Sequence, residues 1–210
     1  MSEGITWYFD LVSPFAYLAL PRVEALAARR PVALRPVVLG ALLKHWGQLG
    51  PAEVAPKRLH TYRLCQFMAD RAGVRLRFPP RHPFRSLEAL RLLAAVDGEP
   101  GAVRAAFEFV WGEGRDASEP GELAALARRL GIGGHTAREG DAKMRLRGWT
   151  DEAIGAGVFG VSSLVAGGTV FWGLDALPMA EAALEDAGLL ERGEMGRLAG
   201  LPVGVERRLG

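Results

Sequence analysis

The chain has 210 residues, 49% of them apolar and 24% charged, with a net charge of +2. That composition describes an ordinary globular protein of one domain, or one domain with a large insertion, and its interspersed charges exclude a dense nucleic-acid-binding surface. Its single cysteine, Cys65, excludes an internal disulfide, a two-cysteine redox motif and a cysteine-rich zinc centre. Met1-Ser2-Glu3-Gly4 leads straight into an apolar strand, so we expect no signal peptide, and no apolar run approaches the ~20 residues of a spanning helix. The expected location is cytoplasmic.

Ile5 to Phe9 reads as a buried strand that stops at Asp10-Leu11-Val12. Ser13 then stands where a helix N-cap belongs, and Pro14 at the first helical position, where a missing N–H costs nothing. This pair is consistent with a plain capped helix. It is equally the place where free N–H groups and the positive end of a helix dipole would stabilise an anion or a thiolate. The helix is expected from Pro14 to about Arg30, kinked at Pro21 and ended by Pro31. Val32 to Leu39 reads as a second strand, with Pro36 marking an edge or a strand end. A crossover of this length predicts a parallel, right-handed pair.

From Gly40 to about Gly157 the pattern gives helices and loops but no strand. Ala41 to Trp46 is a short helical piece, and Gly47 to Pro56 a loop rich in Gly and Pro. Lys57 to Ala72 is a helix closed by Gly73. Arg75 to Pro83 is extended and stiffened by proline. Ser86 is expected to cap a helix to Asp97, Gly101 to Trp111 forms another, and Ser118 is expected to cap one reaching Leu130. His135 to Arg147 reads as a charged helix, followed by a short one, Asp151 to Ala156, capped by Thr150.

Strands return with Val161 to Ala166 and Thr169 to Trp172, joined by the two-residue hairpin signal Gly167-Gly168. Asp175 is expected to cap a last helix through Leu177, Ala180 and Leu184. The order is β-α-β, a helical block, then β-β-α. The fold class expected is therefore α/β: a thioredoxin-like fold with a large all-helical insertion between its two halves. Residues 1–39 with 158–188 would form the thioredoxin-like domain, 40–157 the helical insertion, and 189–210 a tail packed on the fold.

Four stretches carry a family resemblance. They are Tyr8-Phe9-Asp10-Leu11-Val12-Ser13-Pro14-Phe15-Ala16-Tyr17-Leu18; Arg35-Pro36-Val37-Val38-Leu39-Gly40-Ala41-Leu42-Leu43-Lys44; Phe78-Pro79-Pro80 through Pro83 to Arg91; and Gly157-Val158-Phe159-Gly160-Val161 with Phe171-Trp172-Gly173-Leu174-Asp175. Across roughly residues 5 to 187 the chain resembles the 2-hydroxychromene-2-carboxylate isomerase family, which is related to kappa-class glutathione transferases and to the disulfide oxidoreductase DsbA. Where redox relatives have Cys-Pro-X-Cys, this chain has Ser13-Pro14-Phe15-Ala16, so dithiol chemistry is ruled out. The resemblance implies glutathione as cofactor, its thiolate stabilised by Ser13. That thiolate would either add to an unsaturated aryl substrate, permit rotation about a bond and leave, which is an isomerase, or attack an electrophile and stay, which is a kappa-like transferase. A binding protein of the same fold without glutathione is the further alternative.

The resemblance also implies that the backbone of Val161 pairs with the glutathione peptide, that Asp175 and the Leu174 amide hold the γ-glutamyl end, and that Lys57 reaches the glycyl carboxylate. Phe15, Tyr17 and Trp172 are candidates for lining an aromatic substrate pocket, and core packing is the alternative for each. The implied partners are a small aromatic or conjugated substrate and a second copy of the chain, since relatives are often dimers. No nucleic acid, membrane or metal is implied. The chain departs from the family pattern at Ser162, which replaces a cis-proline, and at Ala176, which replaces an arginine. A non-proline cis bond costs ~2.5–4 kcal/mol, so Val161–Ser162 is expected to be trans. Of the histidines His45, His60, His82 and His135, none has metal-ligand spacing, and only His60 is placed near the proposed site, through Lys57. Cys65, in mid-helix, reads as a small buried hydrophobe.

Overall fold

Strand β1 (Ile5–Phe9) runs through the middle of a four-stranded sheet in the order β2-β1-β3-β4 in the computed structural model, which describes residues 4–133 and 140–205. β2 (Val32–Pro36) lies parallel to β1, with Ile5 opposite Val32 and Phe9 opposite Pro36. β3 (Ser163–Ala166) is antiparallel to β1, with Tyr8 opposite Ser163, and β4 (Thr169–Trp172) is antiparallel to β3, with Ser163 opposite Trp172. Gly167 and Gly168 both take positive φ, 54° and 72°, as the two-residue turn between β3 and β4 requires. The β-α-β and β-β-α halves of the thioredoxin topology are both present. Pro36 does end β2, and β2 is an edge strand, so the missing N–H breaks no ladder.

Side chains alternate across β1. Trp7 and Phe9 point into the main core, and Tyr8 points to the other face. On the main side the Trp7 and Phe9 rings stack at 4.7 Å, and Phe107 closes on them at 6.1 and 5.3 Å. α1 (Pro14–Ala27) and α8 (Leu177–Glu185) bury their apolar faces in this core. On the far side Tyr8, Val37, Leu42, Ala153 and Val158 form a smaller cluster. There the Tyr8 hydroxyl donates to Glu152 at 2.8 Å, and Arg35 pairs with the same carboxylate. Burial, then the Glu152 contact, pushes the Tyr8 phenol up to about 12.

The remaining helices are α2 (Leu39–His45), α3 (Ala55–Ala72), α4 (Leu87–Ala95), α5 (Pro100–Phe107), α6 (Pro120–Arg129), α7 (Gly140–Gly155) and α9 (Gly193–Leu198). No strand lies between α2 and α7 among the described residues. Residues 108–112 continue α5 as a π-helical turn that carries Trp111 inward. α1 runs through Pro21 but ends at Ala27, short of Arg30.

Several local expectations are corrected. Ser86 precedes α4 but makes no cap bond there; its buried side chain stands near the Asp10 carboxyl instead. Ser118 donates to Asp116, and α6 begins after Glu119. The helices expected on either side of Thr150 are one helix, α7. The Thr150 hydroxyl donates back to Leu146 O at 2.8 Å and accepts from Val38 N at 3.2 Å, so it ties the helix to the end of β2 rather than capping it. His135 lies outside the described residues. Asp175 makes no cap bond: it sits in a 3-10 turn, Leu174–Ala176, that leads into α8. The tail was expected to pack on the fold. Leu190 does pack against the core, but Leu201, Val203 and Val205 are exposed, because Gly196, Gly200, Pro202 and Gly204 leave no continuous apolar face to dock.

The Val161–Ser162 bond is cis, not trans as expected. Ser162 O accepts from Gly173 N at 2.9 Å, and the Ser163 hydroxyl donates to Gly160 O at 2.8 Å, so tertiary bonds that local propensity ignores bracket the pair.

Phe107 joins the helical segment to the two central rings of the sheet. Phe107→Ala is expected to lower the unfolding free energy by ~3–5 kcal/mol in chemical denaturation, with a single transition retained. A loss below ~1 kcal/mol would contradict this packing.

Candidate active site

Four chain segments meet at one end of the sheet. β1 runs into the turn Asp10–Ser13, and β2 runs into the start of α2. The antiparallel register places Ser162 and Val161 beside the end of β1, and β4 leads into Gly173-Leu174-Asp175. The sequence spread these segments over more than 160 positions; the sheet brings them together.

Ser13 is the N-cap of α1, with extended backbone angles and Pro14 at the first helical position, as expected. Its Oγ accepts from Ala16 N at 3.3 Å, and the residue is only 7% exposed. That leaves the hydroxyl proton free to donate outward. The Phe15 amide has no acceptor among the described residues, so it adds a second donor at the positive end of the helix.

In the turn before Ser13, the Leu11–Val12 and Val12–Ser13 peptides have both their N–H and their C=O groups bonded. Val12 N donates to Asp10 Oδ1 at 3.0 Å, and Ser13 N to Asp10 O at 3.1 Å. Leu11 O accepts from Trp111 Nε1 at 2.8 Å, and Val12 O lies 2.8 Å from His82 Nε2. Asp10 itself is buried, and its Oδ2 accepts from Leu39 N, the first amide of α2, at 2.9 Å. Burial raises the Asp10 carboxyl above the usual carboxylate range, and the Ser86 hydroxyl with the Val12 and Leu39 amides pull against it.

The other expected site residues fall into two groups. Val161, Leu174 and Asp175 lie at the same sheet end as Ser13. The Val161 and Leu174 amides donate to no acceptor among the described residues. The Asp175 carboxylate is exposed and has no described hydrogen-bond or ion-pair partner. Lys57 is exposed in the first turn of α3, after the Gly/Pro loop, and has no ion-pair partner among the described residues. Phe15 is half-buried against the core, and Trp172 is exposed with its ring 5.3 Å from Phe159 and over Gly160. Tyr17 points elsewhere: its ring lies 6.3 Å from Phe107 and its hydroxyl donates to Arg75 O at 2.9 Å. His60 is exposed on α3. No cluster of three or more metal-ligating side chains exists among the described residues.

Sequence reasoning missed Asp10, His82 and Trp111. Asp10 closing a strand and His82 inside a proline-rich segment were the visible traces, but their partners lie far off in the chain.

Residues 4–185 match the family model described as DSBA-like thioredoxin domain. A 2-hydroxychromene-2-carboxylate isomerase from Sphingobium xenophagum is 29% identical over 195 residues, 89% of this chain and 100% of its own length. An isomerase of the same name from Pseudomonas putida is 29% identical, covering 86% of this chain and 93% of its own length. A solved structure of a 2-hydroxychromene-2-carboxylate isomerase superposes with a TM-score of 0.74 at 27% identity, over 88% of this chain and 96% of that one.

Two buried titratable groups are open to measurement. Cys65 is fully buried and burial pushes its thiol up to about 12, so it is a neutral, shielded group. The native protein is expected to leave an aromatic disulfide reagent unreacted at pH 8, and to release one equivalent only after denaturation. Asp10 gives a pH signature. Its folded value lies above the unfolded one, so its contribution is fully present below the unfolded value of ~3.9 and is lost as pH rises through the raised folded value. The stability difference between wild type and Asp10→Asn is therefore expected to shrink as pH rises from 4, in denaturant titrations. A difference that grows with pH would mean that the hydrogen bonds outweigh burial.

Proposed function

The chain belongs to the family of DSBA-like thioredoxin domains, and from that premise we propose that it is an isomerase of the 2-hydroxychromene-2-carboxylate type that uses glutathione and acts on an aromatic or conjugated substrate. The observation that carries the reading is Ser13. Within this fold the first residue of the α1 turn is the chemical position, and here it offers a hydroxyl on a helix N-terminus with no cysteine at either end of Ser13-Pro14-Phe15-Ala16.

The residues present fit glutathione, a tripeptide thiol with two carboxylates and one amino group. Val161 and Leu174 offer unpaired backbone amides, Asp175 an unpaired carboxylate suited to an ammonium, and Lys57 an ammonium suited to a carboxylate. When bound, glutathione supplies a thiolate nucleophile. The chain's own part is to hold that sulfur ionised: the Ser13 hydroxyl donates to it, and the Phe15 amide and the dipole of α1 favour negative charge there. The buried Asp10 is kept away from the sulfur by spending both its oxygens on Val12 N and Leu39 N. An isomerisation exchanges no atoms or electrons with a second substrate, which suits a site whose redox cysteines are absent. The same chemistry supports Phe15 and Trp172 as walls for a flat substrate, and supports a cytoplasmic, thiol-rich setting. A homodimer remains part of this proposal.

The test is calorimetry with glutathione on wild type and Ser13→Ala, paired with turnover of 2-hydroxychromene-2-carboxylate. Binding is expected to weaken about tenfold in the variant, ~1.4 kcal/mol, and turnover to fall by about a hundredfold. Wild-type turnover that proceeds equally well without glutathione would overturn the cofactor. The absence of turnover with glutathione bound would leave a transferase reading in its place.

A further inference from the structure

His82 stands 70 positions from the turn it touches. Its Nε2 is 2.8 Å from Val12 O, the carbonyl of the peptide that enters Ser13. A carbonyl has no proton to give, so Nε2 carries the hydrogen and donates. Nδ1 is then an acceptor, and the single proton of the Tyr62 hydroxyl is shared between Nδ1 at 2.8 Å and the carbonyl of His82 itself at 2.7 Å. The ring is fenced by Trp111 at 5.4 Å, Phe78 at 5.9 Å, Tyr62 at 5.1 Å and Phe84 at 6.3 Å. An imidazole caged by four aromatic rings, bonded to Val12 O through Nε2 and faced by the Tyr62 hydroxyl at Nδ1, has one orientation. Burial holds it below its ordinary pKa, which agrees with a neutral ring in this tautomer.

The consequence falls on the Val12–Ser13 peptide. Its N–H is held by Asp10 O and its C=O by His82, so it cannot turn. With the oxygen drawn into the helical layer, the negative end of this dipole is kept off the N-terminus of α1. If the peptide rotated, that oxygen would come toward the side where Ser13 and the Phe15 amide present positive ends, and would oppose any anion there.

We propose that His82 is a positioning residue for the Ser13 site: by holding the Val12 carbonyl it fixes the Val12–Ser13 peptide in the orientation that leaves the helix end open to a thiolate. The benefit to a thiolate rests on the function proposed above; the clamp on the peptide does not.

Amide hydrogen exchange by NMR reads the clamp without any ligand. In His82→Phe, which keeps the ring and removes the donor, the Val12 and Ser13 amides are expected to exchange about tenfold faster than the change in global stability alone explains. In His82→Gln, whose amide nitrogen can replace Nε2, they should stay within about threefold of wild type. Tyr62→Phe, a milder change, should move them in the same direction as His82→Phe and serves if that variant does not fold. Unchanged exchange in the folded variants would overturn the clamp.

The second arm measures thiolate absorbance of bound glutathione. His82→Phe is expected to lower the ionised fraction about three- to tenfold, a pKa rise of about half to one unit, with affinity for S-methylglutathione unchanged within about twofold. Faster exchange with an unchanged ionised fraction would overturn the positioning role. Failure of the wild type to bind glutathione would instead overturn the proposed cofactor, and the exchange result would still decide the clamp.

Discussion

The whole site depends on one short turn that its own backbone bonds hold in place. Between Asp10 and Ser13, two successive peptides have both their N–H and their C=O groups bonded, to Asp10, Trp111 and His82. Each such bond contributes ~1 kcal/mol net, and each would cost ~1–3 kcal/mol if left buried and unmade. A turn held this way has no second conformation close in energy. Its free groups, the Ser13 hydroxyl and the Phe15 amide, are therefore fixed in direction before any ligand arrives.

That constraint is met from the segment between α2 and α7. Trp111 and His82 belong to it, and both reach back to carbonyls in the β1–α1 turn. Ser86, just before α4, stands near the Asp10 carboxyl. Phe107 anchors the segment against Trp7 and Phe9, and Trp111 sits on the π-helical turn that follows it. His82, in the non-helical stretch before α4, is held by the aromatic rings around it. On the other face, Thr150 of α7 accepts from Val38 N and Trp46 Nε1 donates to Val158 O at 2.9 Å, which hold the end of β2 and the approach to β3. The sheet brings the four segments of the site to one end, and the segment between α2 and α7 supplies side chains that fix the turn there.

Some of this was legible in the chain and some was not, for a physical reason. The Ser13-Pro14 cap, the Gly167-Gly168 hairpin and the Gly73 helix end are short-range chemistry, and the residues that decide them are adjacent. The apolar run Ile5 to Phe9 is likewise local, and the β-α-β and β-β-α order followed from such runs and the helix signals between them. What stayed hidden were bonds across long separations: Asp10 to Leu39 over 29 positions, Val12 to His82 over 70, Leu11 to Trp111 over 100. The same blindness misread Ser86 and Thr150 as helix caps. Both have the right chemistry for a cap, but Thr150 spends it on Val38 N and Leu146 O, and Ser86 makes no cap bond. Val161–Ser162 was judged from the intrinsic cost of its peptide bond, whereas the bonds around it come from Gly173 and Gly160.

The central claim is that this turn offers its hydroxyl and its helix end to the sulfur of glutathione. A crystal structure of the chain grown with glutathione tests it most directly. The account predicts the sulfur within hydrogen-bonding distance of Ser13 Oγ, the tripeptide backbone alongside Val161, and the Asp10–Ser13 turn unchanged. Glutathione bound with its sulfur away from Ser13, or a turn that has to rearrange to admit it, would contradict the account.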